Sequence, residues 1–135
     1  IKATDVEIKG EGTYTVGLDF TGTAADGSGT ARSFAFSALA ISNGEQLFPG
    51  YIIDIKEISV NGKPIKLTAK PYTSSDDGHC TRTNLYNEWV KKLPEDARTA
   101  DGSLDGAKAI IVNQKDNALQ AMKTLTITFY WGPKK

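Results

Sequence analysis

One stretch near the end of the chain, Lys123-Thr-Leu-Thr-Ile-Thr-Phe-Tyr-Trp131, leaves little choice of secondary structure. Leu125, Ile127, Phe129 and Trp131 alternate with Thr124, Thr126, Thr128 and Tyr130. A period of two sends successive side chains to opposite faces, so this pattern predicts a strand with one buried and one solvated face. Its β-branched and aromatic residues suit a pleated surface. Such a strand is stable only inside a sheet whose apolar face is covered, so the rest of the chain must supply strand partners and a second layer.

The partners are legible. Thr13–Phe20 sets Tyr14, Val16, Leu18 and Phe20 against Thr15, Gly17 and Asp19, with Glu11-Gly12 as a turn from a first strand through Val6 and Ile8. The Thr21–Thr30 stretch, rich in Gly, Ala and Ser, reads as a loop, and Arg32–Ile41 as a strand carrying Phe34, Phe36 and Ala38. In Tyr51–Val60 the apolar phase slips between Ile55 and Ile58, which predicts a bulge. Asn61-Gly62 follows and is the strongest hairpin signal in the chain, because both residues tolerate the positive φ of a type I′ turn. Pro64–Ala69 is the expected return strand. Helical periodicity is weak: Leu85, Trp89 and Leu93 could share a face for two turns after Asn84 as a cap, and Asp116–Met122 could form another turn. Many short strands with turn signals between them predict an all-β protein, an antiparallel two-sheet β-sandwich of jelly-roll type. The pattern does not give the strand order.

Bulk composition narrows the partners. A chain of 135 residues with 39% hydrophobic residues is sized for one domain and is too apolar for disorder. Sixteen Lys and Arg balance sixteen Asp and Glu, so there is no overall field to draw in nucleic acid or an anionic membrane. No apolar run approaches the roughly 18 residues of a membrane span. One cysteine rules out an internal disulfide framework and a Cys-rich zinc site. The expected partners are therefore an uncharged ligand and no nucleic acid, with the chain acting as a monomer. The sequence reads as a module cut from a longer protein, with any export signal outside it.

Catalytic signatures are sparse. The lone His79 and lone Cys80 are neighbours, and an extended backbone points their side chains apart. There is no nucleophile elbow, phosphate-binding loop or dinucleotide fingerprint. Asp76, Asp77, Glu88, Glu95 and Asp96 could pair as a glycosidase needs, but Asp76-Asp77-Gly78 has turn composition and Glu95-Asp96 follows a proline. The expectation is no enzyme activity and no cofactor. A structural calcium ion is compatible with the oxygen-rich loops, although no EF-hand spacing occurs.

The segment Thr73–Trp89 is the exception to this plainness, since it packs amides, an arginine, carboxylates, a tyrosine and a tryptophan together. A pyranose has a C–H face that stacks on aromatic rings and a rim of hydroxyls that planar amides and guanidinium groups can bridge. In an extended backbone Arg82, Asn84 and Tyr86 share one face, and Thr83, Leu85, Asn87 and Trp89 the other. A helix from Leu85 would scramble that assignment. Tyr72 lies in the polar middle of the chain, and Trp131 at a strand end where core gives way to solvent, so both are candidate platforms. Asp77 is a candidate acceptor for sugar hydroxyls. The candidate ligand-binding set is Tyr72, Asp77, Arg82, Asn84, Tyr86, Asn87, Trp89 and Trp131. The competing reading buries the tryptophans and pairs Arg82 with a nearby acid.

Four parts of the chain carry a family resemblance, the last of them the Leu125–Trp131 strand. Glu11–Phe20 resembles the early strand of β-sandwich carbohydrate-binding modules attached to plant-cell-wall glycosidases, and Tyr51–Ile65 resembles their strand–Asn-Gly–strand hairpin. Ser74–Gly78 together with Asn84–Trp89 is similar to modules in multidomain xylanases and endoglucanases of gut bacteria. The resemblance implies a non-catalytic module, extracellular or at the cell surface, covalently linked to a catalytic domain such as an endo-xylanase. It would hold one polysaccharide chain along a cleft on a sheet face. Xylan is the favoured glycan, as in modules of the family 86 type, with β-glucan or xyloglucan next. A structural or adhesion sandwich is the rival from another class. The site residues above come from faces and exposure, not from a family motif.

Overall fold

A computed structural model describes residues 2–21, 36–75, 78–87, 89–90, 92–102, 104, 111–112 and 122–133. Its strands are β1 (Lys2–Thr4), β2 (Gly12–Asp19), β3 (Phe36–Ile41), β4 (Tyr51–Val60), β5 (Lys63–Pro64), β6 (Thr73–Ser75), β7 (Thr81–Asn87) and β8 (Thr124–Pro133), with a single helical turn, α1, at Gly44–Leu47. They form two antiparallel sheets, one of five strands in the order β1-β2-β8-β4-β5 and one of three in the order β3-β7-β6. The chain is an all-β protein, as the alternating patterns require.

β8 is the centre of the larger sheet, paired along its length with β2 on one side and β4 on the other. Its apolar positions Leu125, Ile127, Phe129 and Trp131 are all buried. They meet Ile53, Ile55, Ile58 and Val60 of β4 and Leu39, Ile41 and Leu85 of the smaller sheet in one core. β4 keeps its apolar side inward despite the phase slip because the register shifts between Ile55 and Glu57, leaving Lys56 as the extra residue. The Asn61-Gly62 turn follows, with φ of 53° and 81°. The Asn61 side-chain oxygen also accepts the backbone N–H groups of Lys123 and Thr124, at 2.7 and 3.1 Å, and so anchors the start of β8.

Three expectations need correction. The first strand stops at Thr4, and Val6 and Ile8 lie in irregular chain, Val6 exposed and Ile8 packed against the core. The return strand after Asn61-Gly62 is short: it pairs at Lys63 and Pro64, with one further backbone bond from Ile65 N–H to the Ile58 carbonyl at 2.9 Å. Leu67 leaves β4 and bridges Val112 instead. No helix starts at Leu85, which belongs to β7, because β-branched Thr81 and Thr83 and two flanking strands hold the segment extended. The expected helical turn over 116–121 and the Phe34 end of β3 lie outside the described residues. Toward β2 and β3 the sheets part into a cleft of about 680 Å³, walled by side chains such as Val16, Leu18, Leu39 and Ile127. Those walls are mostly aliphatic, with Thr4, Asp5, Glu7 and Ser42 as their polar part.

Candidate functional site

The sugar-friendly residues of the 73–89 segment lie on β7, the middle strand of the smaller sheet, and on the chain just after it. Thr83 pairs with Leu39 and Thr73, and Arg82 pairs with Ala40 and Ser74. Directly paired residues share a face, so Thr83 joins the core side and Arg82 the outer side. Asn84, opposite Ala38, joins Arg82. The register then shifts: Ser37 pairs with Tyr86, while Ala38 pairs with Asn84, and Leu85 is the extra residue. A bulge puts two consecutive side chains on one side. Leu85 and Tyr86 are accordingly both buried in the core cluster. Alternation resumes after it and returns Asn87 to the outer side.

The expected face of Arg82, Asn84 and Tyr86 is thus corrected to Arg82, Asn84 and Asn87. On it, the Arg82 guanidinium donates to the Asn84 side-chain oxygen at 3.0 Å, and the Asn84 amide donates to the Tyr72 hydroxyl at 3.4 Å. Tyr72 is only 2% exposed and packs against Val90, Leu93 and Ala97, so the chain beyond β7 folds back over it. Tyr72 is therefore no open platform. It joins Asn84 and the half-buried Arg82 in one polar relay. The small side chains of Ala38 and Ala40 leave the surface beside Arg82 shallow.

Trp89 is 59% exposed, the most exposed aromatic among the described residues that the sequence singled out. Its backbone N–H donates to the Asn87 side-chain oxygen at 3.1 Å, a local turn that ends β7 and holds the indole just past the strand. Arg82, Asn84 and Asn87 thus share the outer side of β7, and the exposed Trp89 follows at the strand's end. Asp77 lies outside the described residues.

Trp131 is elsewhere and is fully buried, at 0% exposure. The strand does not end there, since β8 runs on to Pro133. Phe48 lies edge-on to the indole at 5.8 Å, and Tyr51 is tilted against it at 5.1 Å. These two rings close the end of the sandwich over it, so Trp131 has no face left for a ligand. Its indole nitrogen is the only buried side-chain polar atom without a partner among the described residues.

A second polar constellation has no counterpart in the sequence reading. Arg98 is buried and donates to the Tyr51 carbonyl from Nε at 3.0 Å and from Nη2 at 2.8 Å. It also pairs with Glu45 at 2.5 Å, and the same carboxylate accepts the Thr81 hydroxyl. Reciprocal backbone bonds between Arg98 and Thr73 fix the segment alongside β6. This set ties α1, β4, β6 and β7 together. Its donors and acceptors are spent on one another, which is the arrangement of a clamp. Among the described residues no three His, Cys, Asp or Glu side chains gather as a metal-binding group.

Comparison with family models, with characterised proteins and with solved structures gives no match for this chain.

Proposed function

We propose that this chain is a non-catalytic carbohydrate-binding module that holds a soluble plant-cell-wall glycan, xylan by preference, on the outer side of the three-stranded sheet. The observation that carries the reading is the exposed Trp89, held by Asn87 just past the end of β7, the strand that carries Arg82 and Asn84 on its outer side. The indole would stack on the C–H face of a sugar, while the half-buried Arg82 and Asn87 exchange hydrogen bonds with its rim and Asn84 positions Arg82. The shallow Ala38–Ala40 surface gives a chain room to lie along the strand direction. Such binding needs no proton transfer. One site gives modest affinity because each hydroxyl trades water for protein at little net gain, and tethering to a catalytic domain in a secreted, multidomain enzyme multiplies it.

A second reading, a structural or adhesion sandwich without a glycan site, draws on one specific observation: Tyr72, Tyr86, Asn84 and Trp131 are all buried. Affinity electrophoresis in gels containing xylan, xyloglucan or mixed-linkage glucan separates the two. Retardation on xylan, with quenching or a blue shift of the exposed indole, is the expected result. Migration unchanged in every gel would overturn the proposal in favour of the spacer. Reducing sugar released by the isolated chain would replace it with an enzyme.

A further inference from the structure

The outer face of the five-stranded sheet carries one aromatic ring in an unusual setting. Tyr130 lies on the central strand β8, directly opposite Thr13 of β2 and Asp54 of β4. Its hydroxyl donates to the Glu11 carboxylate. Two residues along, Gly132 has no side chain. A Cβ there would stand 2.8 Å from Cε1 of Tyr130 and 3.3 Å from Cγ of Glu11. The ring and the acid therefore lean across the space a side chain at 132 would fill, so the ring lies down along the sheet instead of standing off it. φ at Gly132 is not in the left-handed region, so the glycine answers to the close approach of the ring and not to a turn.

Around this ring the sheet is polar and open. Thr13 and Thr15 are exposed, and the Thr15 and Thr128 hydroxyls meet at 3.0 Å. Asp54 is partly exposed and pairs with Lys56 at 2.8 Å. A tyrosine tethered at its hydroxyl has already lost most of the rotational freedom that stacking would cost it. Hydroxyls and a carboxylate flanking a ring held flat supply the rim partners that a pyranose needs.

We infer that Tyr130, bedded on Gly132 and flanked by Thr13, Thr128 and Asp54, forms a second glycan platform on the face of the molecule opposite the Trp89 site. This rests on the reading of the chain as a glycan binder, but on different residues and a different sheet. A chain with platforms on both faces can hold two polysaccharide strands, or engage one fibre from either side.

Amide NMR spectra during titration with xylohexaose and cellohexaose test it in the intact chain and report folding at the same time. The expected result is two separate groups of shifting amides, one around residues 82–89 and one around Thr13, Asp54 and Tyr130. Tyr130→Ala, and independently Gly132→Val, which displaces the ring, should weaken the second group's binding by roughly 5- to 150-fold and leave the first unchanged. Trp89→Ala should do the reverse. Shifts confined to residues 82–89, with Tyr130→Ala binding like the parent, overturn the second platform while leaving the first. Shifts at neither face with either sugar overturn both.

Discussion

The outer faces of the two sheets look alike in composition and behave differently. On the five-stranded sheet the threonines of β2 and β8 alternate without interruption, and Thr13, Thr15 and Thr126 remain open to water. On the three-stranded sheet Asn84 and Ser74 occupy equivalent outward positions but are buried, on the side where Val90, Leu93 and Ala97 pack over Tyr72. The lesson is that an outward-pointing side chain is exposed only if no later segment crosses it. The two tryptophans repeat it. Trp89 sits past the end of a strand and is open, whereas Trp131 lies before the end of one and is enclosed by Phe48 and Tyr51.

The largest effect should come from breaking the enclosed member of that pair. Trp131→Ala should lower stability by about 3–5 kcal/mol in urea unfolding, since it empties a fully packed site at the centre of the core. Trp131→Phe should cost far less, because the lost volume is partly offset by removing an unpartnered indole N–H. If Trp131→Ala unfolded at the parent's urea midpoint, the aromatic end-cap would not hold the sandwich together.

Next in size is the Arg98 clamp. Arg98→Met leaves Glu45 facing Thr81 without its cation. A loss of roughly 3 kcal/mol is expected, at the low end for a broken buried pair, because Glu45 keeps some access to water. Replacing both partners with apolar residues should recover part of that loss. A double variant as unstable as the single one would mean that Arg98 acts through its bonds to the Tyr51 carbonyl alone.

Trp89→Ala is the opposite kind of change. Its unfolding free energy should stay within about 0.5 kcal/mol of the parent, as for other exposed positions. Glycan affinity should fall by about 1–3 kcal/mol, judged by aromatic stacking on nucleic-acid bases. Equal affinity for the parent and the variant in affinity gels would remove Trp89 from the site.

How much of this could be read from the chain depends on how local the signal is. The strands of the larger sheet and the Asn61-Gly62 turn announce themselves within a few residues. The bulge in β4 does too, because two consecutive polar residues, Lys56 and Glu57, stand between apolar Ile55 and Ile58. The bulge in β7 carries the mirror signal, two consecutive apolar residues at Leu85 and Tyr86. It is missed when tyrosine is counted as a surface residue, and the miss exchanges Tyr86 for Asn87 on the outer face. The lids over Trp131 and Tyr72 and the partners of Arg98 come from distant parts of the chain. No local period encodes them, and only the assembled sheets bring them together.

The smallest expected effect concerns the phenol of the open face. The hydrogen bond to Glu11, a slight loss of hydration and the negative charge of that carboxylate all hold the Tyr130 pKa above the ordinary tyrosine value of 10.0. The sign follows from which form is favoured. The folded chain prefers the neutral phenol, so whatever stability the contact gives is present below the unfolded value and is lost as pH rises through the folded one. Tyrosinate absorbance of the parent minus that of Tyr130→Phe isolates this ring from Tyr14, Tyr51, Tyr72 and Tyr86. The difference should titrate later than a free tyrosine. Glu11→Gln should bring it back toward 10.0, because the carboxylate's charge is gone while an acceptor remains. A difference curve centred at or below 10.0 in the parent would mean that the ring is not tethered to Glu11, and the flat platform would lose its anchor.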